Sequence, residues 1–497
     1  MFWTKSTRQT KQEQQEPSLS AAAEKPISLD ALKQVLADMS DAEFVELRTE
    51  KSKAVTIIFI RTLIDQERIN EAVLKPLQRY VHENGGQVAS VSPAQHVDTL
   101  EQATQHLLQG CVLLHNEALQ QWLTIPLASP LSRSIESSET ETILFGPKDS
   151  FSEQLEQNLT LIRRRLPVPE LKAERFTVGS LSQTTVVLMY VEGLTNLEYV
   201  SIAREKIQKI SFDLFLDSSQ VAAFMEEHTY SIFPQFLQTD RPDSCAYALG
   251  LGKLLILVNN TPFVLIAPVT FFHLFQSPED YINRWLVASF LRCLRFLSFF
   301  IALSLIPMYV ALTTHHYQML PLQILFVILE SRGKLPFTPF WEAAIMLVTV
   351  EIVKEASLRM PSKTSQTLGV IGGIVIGQAA VQAGFASKVL IVLMGISTIA
   401  SFLVPNYLMS KSSLLIQFVF LVLASLLGIP GMILGILLLL AHLNGLTSLK
   451  QPYLAPVTPF YGKDWLDLFI RGPLRLMKER PAYLHPLQKW RYGQRRK

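Results

Sequence analysis

The sequence predicts an α/β duplicated soluble N-terminal region followed by an all-α polytopic membrane domain. Three observations carry that prediction. The chain of 497 residues is 49% hydrophobic with a mean hydropathy of +0.25, and the apolar excess lies almost wholly after residue 295. Before that point one strand-turn-helix pattern occurs twice. After it, between residues 296 and 443, the only carboxylates are Glu330, Glu342, Glu351 and Glu355, as expected of successive lipid-facing spans.

Residues 1–26 are polar, rich in Gln, Lys, Glu and Ser; they read as a disordered tail and not as a secretory signal, which would need an apolar core. Two α/β subdomains follow, at 27–135 and 141–290. The segments AVTIIFIRTLIDQERINEAVLKPLQRY (54–80) and TVVLMYVEGLTNLEYVSIAREKIQKI (185–210) each run a β-branched strand into a polar turn and an amphipathic helix, which matches Asp65 with Asn196 and Ala72 with Ala203. LLQGCVLLHNEALQQWLTIP (107–126) echoes ALGLGKLLILVNNTPFVLIAP (248–268): Gly110 and Gly252 precede matching strands, Pro126 and Pro268 end them, and Asn259-Asn260-Thr261-Pro262 is a hairpin turn. Such a pair of lobes can clasp a ligand or serve as a rigid assembly platform. No GxGxxG, Walker A or GxSxG sequence is present, so the chain is read as neither an enzyme nor a cofactor protein. The cysteines, Cys111, Cys245 and Cys293, are odd in number and lack CxxC spacing, which argues against disulfides, a metal site and thiol redox chemistry.

The membrane domain is placed at 291–446, with candidate spans 296–313, 339–360, 366–386, 388–405, 411–428 and 430–446. Residues 318–329 are too short to span and read as interfacial or re-entrant. Arg284, Arg292 and Arg295 fix the first span's start on the cytoplasmic side. The basic tail, 447–497, with acids only at Asp464, Asp467 and Glu479, fixes the chain's end there too. The 339–360 helix opens with Thr338 as N-cap, Pro339 at the first position and Glu342 in the first turn. Its length of roughly 33 Å crosses the hydrocarbon. Its second half carries Glu351, Lys354, Glu355 and Arg359; Glu351, Glu355 and Arg359 share one stripe, and Glu355 and Arg359 are spaced for an ion pair. Ionisable groups at membrane depth face water or a buried partner, so the stripe is read as lining a pore or gate, against a plain ion pair that fastens helices. In the next span Gly369, Gly373 and Gly377 repeat at four-residue spacing, a helix-packing pattern. Gln378 and Gln382 are amides that need a partner helix or water, and Pro405 ends the fourth span.

The chain resembles the A subunit of GerA-type spore germinant receptors. The stretches that carry the resemblance are GPKDSFSEQLEQNLTLIRRR (146–165), YSIFPQ (230–235), RPD (241–243), TPFVLIAPVTF (261–271), SPEDYINRWLVASFLRCLRF (277–296), LPFTPFWEAAIMLVTVEIVKEASLRMP (335–361), LGVIGGIVIGQAAVQAG (368–384) and TSLKQPYLAPVTPF (447–460). Their order and spacing hold together. The resemblance implies an oligomeric, nutrient-gated ion channel in the spore inner membrane, with both termini cytoplasmic. It also implies a transporter-like B subunit that senses the nutrient and a lipoprotein C subunit, and no nucleic acid. Four departures stand out: Leu347 and Gln382 replace glutamates common in that family, Ser357 replaces a glycine, and Phe145-Gly146-Pro147 lacks an arginine found there. The expected pore candidates are Glu342, Val350, Glu351, Glu355, Arg359, Ile374, Gln378 and Gln382, with Val350 and Ile374 as an apolar constriction. The alternatives are a secondary transporter subunit and a non-conducting scaffold.

Overall fold

A strand apolar at every position must be covered on both faces, and residues 57–60 form such a run. The computed structural model, which describes residues 26–48, 54–75, 94–117, 120–129, 141, 145–333, 335–359 and 377–491, places them in the middle of a sheet. Residues 1–25 of the expected tail, and Gly369, Gly373 and Ile374, lie outside the described residues. Strands β1 (Ala42–Arg48), β2 (Ala54–Ile60), β3 (Gln95–His96), β4 (Cys111–Asn116) and β5 (Gln121–Pro126) run β1-β2-β4-β5-β3, paired antiparallel. Because side chains alternate, Ile58 and Ile60 join Leu32, Leu100 and Leu107 from the helices Leu29–Val35 and Leu100–Leu108. Val55, Ile57 and Phe59 pack with Ile69 and Val73 on the other face.

Two compact units result: residues 1–133 with 163–173, and residues 134–162 with 174–497. The first holds a buried ion pair. Both oxygens of Asp41 accept from Arg163, at 2.5 and 2.6 Å, and Oδ2 also accepts from the Thr62 hydroxyl at 2.7 Å.

The second sheet contains β6 (Leu171–Val178), β7 (Thr184–Val191), β8 (Leu237–Thr239), β9 (Leu254–Val258) and β10 (Val264–Ala267) in the order β6-β7-β9-β10-β8. Strand for strand this is the order of the first sheet. The likeness extends to single residues. Asp65 and Asn196 are both N-caps whose side chains accept backbone N–H groups, of Glu67 and Arg68 and of Glu198 respectively. Gly110 and Gly252 both adopt left-handed backbone, φ 84° and 93°, where a side chain is strained; at Gly110 a Cβ would also lie 2.7 Å from the Leu63 carbonyl. Asn260, at φ 66°, turns the β9–β10 hairpin.

The C-terminal half is helical: Trp285–Thr314, Leu322–Arg332, Pro339–Leu358, Gly377–Gln382, Lys388–Phe402, Tyr407–Leu427 and Ile429–Gly445. Two of these, Trp285–Thr314 at mean hydropathy 2.1 and Tyr407–Leu427 at 1.8, are long and apolar enough to cross a membrane. The first begins well before residue 296, because Arg292 and Arg295 sit inside the helix instead of preceding it. Gly428, φ 68°, breaks the last two helices, and His315 and His316 pack against the break: a Cβ there would fall 2.6 Å from the His316 ring.

Residues 447–491, basic by composition, are built into the second unit. Tyr453 donates to the Pro234 carbonyl at 2.7 Å, and its own carbonyl accepts from Phe271 N–H at 2.8 Å. Ser448 Oγ donates to the Gln235 carbonyl at 2.6 Å and accepts from Val269 N–H at 3.0 Å. Arg292, fully buried in the Trp285–Thr314 helix, donates to Asp280 at 3.0 Å and Asp467 at 2.9 Å.

Candidate functional site

The Pro339–Leu358 helix starts where its sequence says, with Thr338 at the N-cap and Pro339 in the first turn, but the Thr338 side chain makes no capping bond. Glu342 does not serve its own helix end. Its Oε1 accepts the Ser387 backbone N–H at 2.6 Å, and Ser387 is the N-cap of the Lys388–Phe402 helix, its hydroxyl accepting from Leu390 N–H. Tyr309 Oη lies 3.1 Å from that hydroxyl, and Arg332 stands 3.7 Å from Glu342 Oε2. Glu342, read as a pore candidate, is 0% exposed and ties helices together. Glu342→Ala therefore removes a charge-assisted bond from a buried N–H, at a cost of about 1.5–3 kcal/mol. Glu342→Gln keeps an acceptor and should restore at least half of the lost melting temperature, as differential scanning of the detergent-solubilised chain would measure.

About two and a half turns further along the helix the polar stripe forms as its spacing predicts. Lys411, from the first turns of the Tyr407–Leu427 helix, donates to Glu351 at 3.1 Å and Glu355 at 2.9 Å. Lys354 pairs with Glu351 at 3.1 Å and Arg359 with Glu355 at 3.1 Å. The partnership of Lys411 with the stripe is not legible in the sequence, because periodicity within one helix cannot supply a partner on another. Two acids and three bases make a compensated cluster, not an acidic ring. It is graded in exposure, with the Glu351 side chain 19% exposed, Glu355 45% and Arg359 79%.

Val350 packs at the edge of an apolar cluster around Tyr309, Val310, Met346, Leu390 and Leu421, which also buries Leu347. Gln378 and Gln382 are exposed on their helix. Gly377 approaches Ile391, but a Cβ would stand 3.9 Å from it, an ordinary contact. Pro405 lies in the turn between the Lys388–Phe402 and Tyr407–Leu427 helices. A polar tie missed in the sequence crosses the bundle: Gln417 donates to Ser397 at 3.2 Å, and Ser397 to the Ala302 carbonyl at 3.1 Å. Among the described residues no group of His, Cys, Asp or Glu could hold a metal ion.

The family model for the Bacillus/Clostridium GerA spore germination protein matches residues 30–483. The chain is 35% identical to the spore germination protein GerQA of Bacillus cereus over 94% of each chain. It is 34% identical to the uncharacterized membrane protein YfkQ of Bacillus subtilis (strain 168), over 86% of this chain and 84% of that one. The crystal structure of the N-terminal domain of the A subunit of the Bacillus megaterium spore germinant receptor GerK3 aligns with 49% of this chain and 94% of that chain, at 24% identity and TM-score 0.38. This chain belongs to the GerA family of spore germination proteins, as a germinant-receptor A subunit.

Proposed function

We propose that this receptor subunit is the ion-conducting element, several copies enclosing a pore bordered by the Pro339–Leu358 and Gly377–Gln382 helices. The observation that carries the reading is the exposure, on a single chain, of Glu355, Arg359, Gln378 and Gln382 amid apolar helices. Each charge left in lipid costs of order 2.5–3.5 kcal/mol, and neighbouring copies around a wetted axis would remove that cost. Val350, and Ile374 outside the described residues, are the proposed constriction. We place the subdomains at 27–135 and 141–290 and the multi-pass domain at 291–446, in the spore inner membrane with both termini cytoplasmic. A transporter-like B subunit would bind the nutrient and a lipoprotein C subunit would complete the receptor.

A second reading has one observation in its favour: every charge of the stripe is paired within one chain, as a clasp in a non-conducting scaffold would be. Single-channel recording of the purified full chain in planar bilayers separates the two. Conduction predicts unitary currents, and Glu351→Gln, which removes one of the two acids held by Lys411, should change conductance by about twofold or more. Absent currents from an assembled oligomer would leave the scaffold. Saturable, stoichiometric flux would mark a transporter.

A further inference from the structure

Within the second unit a cavity of about 500 Å³ opens between the sheet and the turn that joins the Lys388–Phe402 and Tyr407–Leu427 helices. Volumes of this order suit a small organic ligand. Lys253 and His273 line it, and Phe402, Val404, Pro405 and Asn406 form the helix-turn wall. Lys253 follows Gly252 into the fully buried strand β9, so its side chain is held in the interior, 2% exposed.

Among the described residues the ammonium has no carboxylate partner, and its nitrogen meets the His273 ring alone, 2.8 Å from Nδ1 and 3.2 Å from Nε2. A buried cation is stable when paired with an anion, and the acids of the cavity are committed elsewhere. Asp243 is held by two bonds from Arg241, at 2.8 and 3.1 Å. Glu141 has its carboxyl raised to about 7 by burial and by the neighbouring Asp240. Burial likewise lowers Lys253 to about 7 and holds His273 well below its ordinary value. Tyr247 and Tyr281, the other titratable groups of the wall, are raised by burial and stay neutral. Ser244 lines the same cavity with a buried hydroxyl that has no hydrogen-bond partner among the described residues.

One unneutralised cation, a spare hydroxyl and apolar walls from Leu251, Ile266, Ile282, Phe402 and Val404 describe a ligand with a single negative charge and an apolar body. A phosphate would call for a guanidinium or several donors. We propose that this cavity binds a small monocarboxylate, its carboxylate on Lys253 and its apolar body against Phe402 and Val404. Occupancy would bridge the sheet and the turn at Pro405, and so couple a soluble effector to the helices independently of whether they conduct.

Titration calorimetry of the full-length chain in lipid nanodiscs, with benzoate, benzyl alcohol and inorganic phosphate as probes, tests this. Benzoate should bind, benzyl alcohol and phosphate at least about tenfold more weakly, and Lys253→Met should lose about tenfold or more in benzoate affinity. Ser244→Ala should lose about two- to tenfold. Between pH 6 and 8 affinity should fall, because Lys253 must be charged and Glu141 neutral for a carboxylate to enter. No heat from benzoate at about 10 mM, equal binding of all three probes, or unchanged affinity in Lys253→Met would each overturn the proposal. Should Lys253→Met fail to fold, Ser244→Ala and the pH series decide: a flat profile with unchanged Ser244→Ala affinity rejects it.

Discussion

Replacing Arg292 by Ala is expected to cost about 3–5 kcal/mol and to prevent recovery of a folded chain at ordinary growth temperature. Arg292 is 0% exposed and Asp280 1%. The guanidinium donates to Asp280, to the Asp467 carboxylate, and to the Asp467 and Leu468 carbonyls at 2.8 and 3.3 Å. Its removal takes the guanidinium from all four acceptors. Asp280 keeps Arg295 at 2.8 Å, the Asp467 carbonyl keeps Gln276 at 3.0 Å and the Asp467 carboxylate keeps the Tyr281 hydroxyl at 2.9 Å, but the neutral Gln276 and Tyr281 donors do not replace the charge that Arg292 sets against Asp467. Lysine has one point charge and cannot span the set, so Arg292→Lys should recover less than half of the loss. Thermal melts of both variants in detergent measure this. A melting temperature for Arg292→Ala within a few degrees of the parent would mean that water or lipid headgroups reach the site.

The same arginine shows where sequence reasoning stops. Arg284, Arg292 and Arg295 have the distribution of a positive-inside signal, and charge counting treats them alike. In the folded chain Arg292 is an internal clamp onto Asp467, 175 residues away in sequence. Local pattern gave what depends on neighbours along the chain: the β2, β4, β7 and β9 strands, the correspondence of Asp65 with Asn196 and of Gly110 with Gly252 between the two repeats, and the division of the last two helices at Gly428. That the first pair are caps and the second left-handed came from the fold. β1 and β6 were missed because their polar alternation is weak, with Glu43 and Glu46 in one and Lys172, Glu174 and Arg175 in the other. At the candidate site the stripe of Glu351, Glu355 and Arg359 was legible, whereas the Glu342 partner Ser387 and the shared Lys411 were not. A polar residue announces that it needs a partner; only the fold says which.

That fold also explains why three distant stretches carry the family resemblance together. Residues 230–235, 261–271 and 447–460 meet through Tyr453 on the Pro234 carbonyl, Ser448 on the Gln235 carbonyl and Val269, and Phe271 N–H on the Tyr453 carbonyl. The segment after the last helix is thus a structural element of the second sheet's surroundings, and its basic charge is partly internal: Arg471 is 3% exposed and Arg480 donates to the Gly250 carbonyl.

The first unit should fail separately. Arg163→Ala deprives Asp41, 0% exposed, of both guanidinium bonds and leaves, among the described residues, the Thr62 hydroxyl as its side-chain donor, while the Leu171 carbonyl loses a donor at 3.2 Å. The cost is again about 3–5 kcal/mol, enough to lower the melting temperature of a unit near 150 residues by roughly 6–20 °C. Its location is the informative part. Hydrogen exchange of the full chain should show protection falling across β1, β2, β4 and β5, with β7, β9 and β10 unchanged, because the two sheets have separate cores. Loss of protection in both sheets at once would show that they unfold as one cooperative body. Arg163→Met paired with Asp41→Leu, which removes both charges and leaves apolar volume, should recover most of the loss; if it does not, the cost lies in the helix Leu155–Arg165 and not in the ion pair.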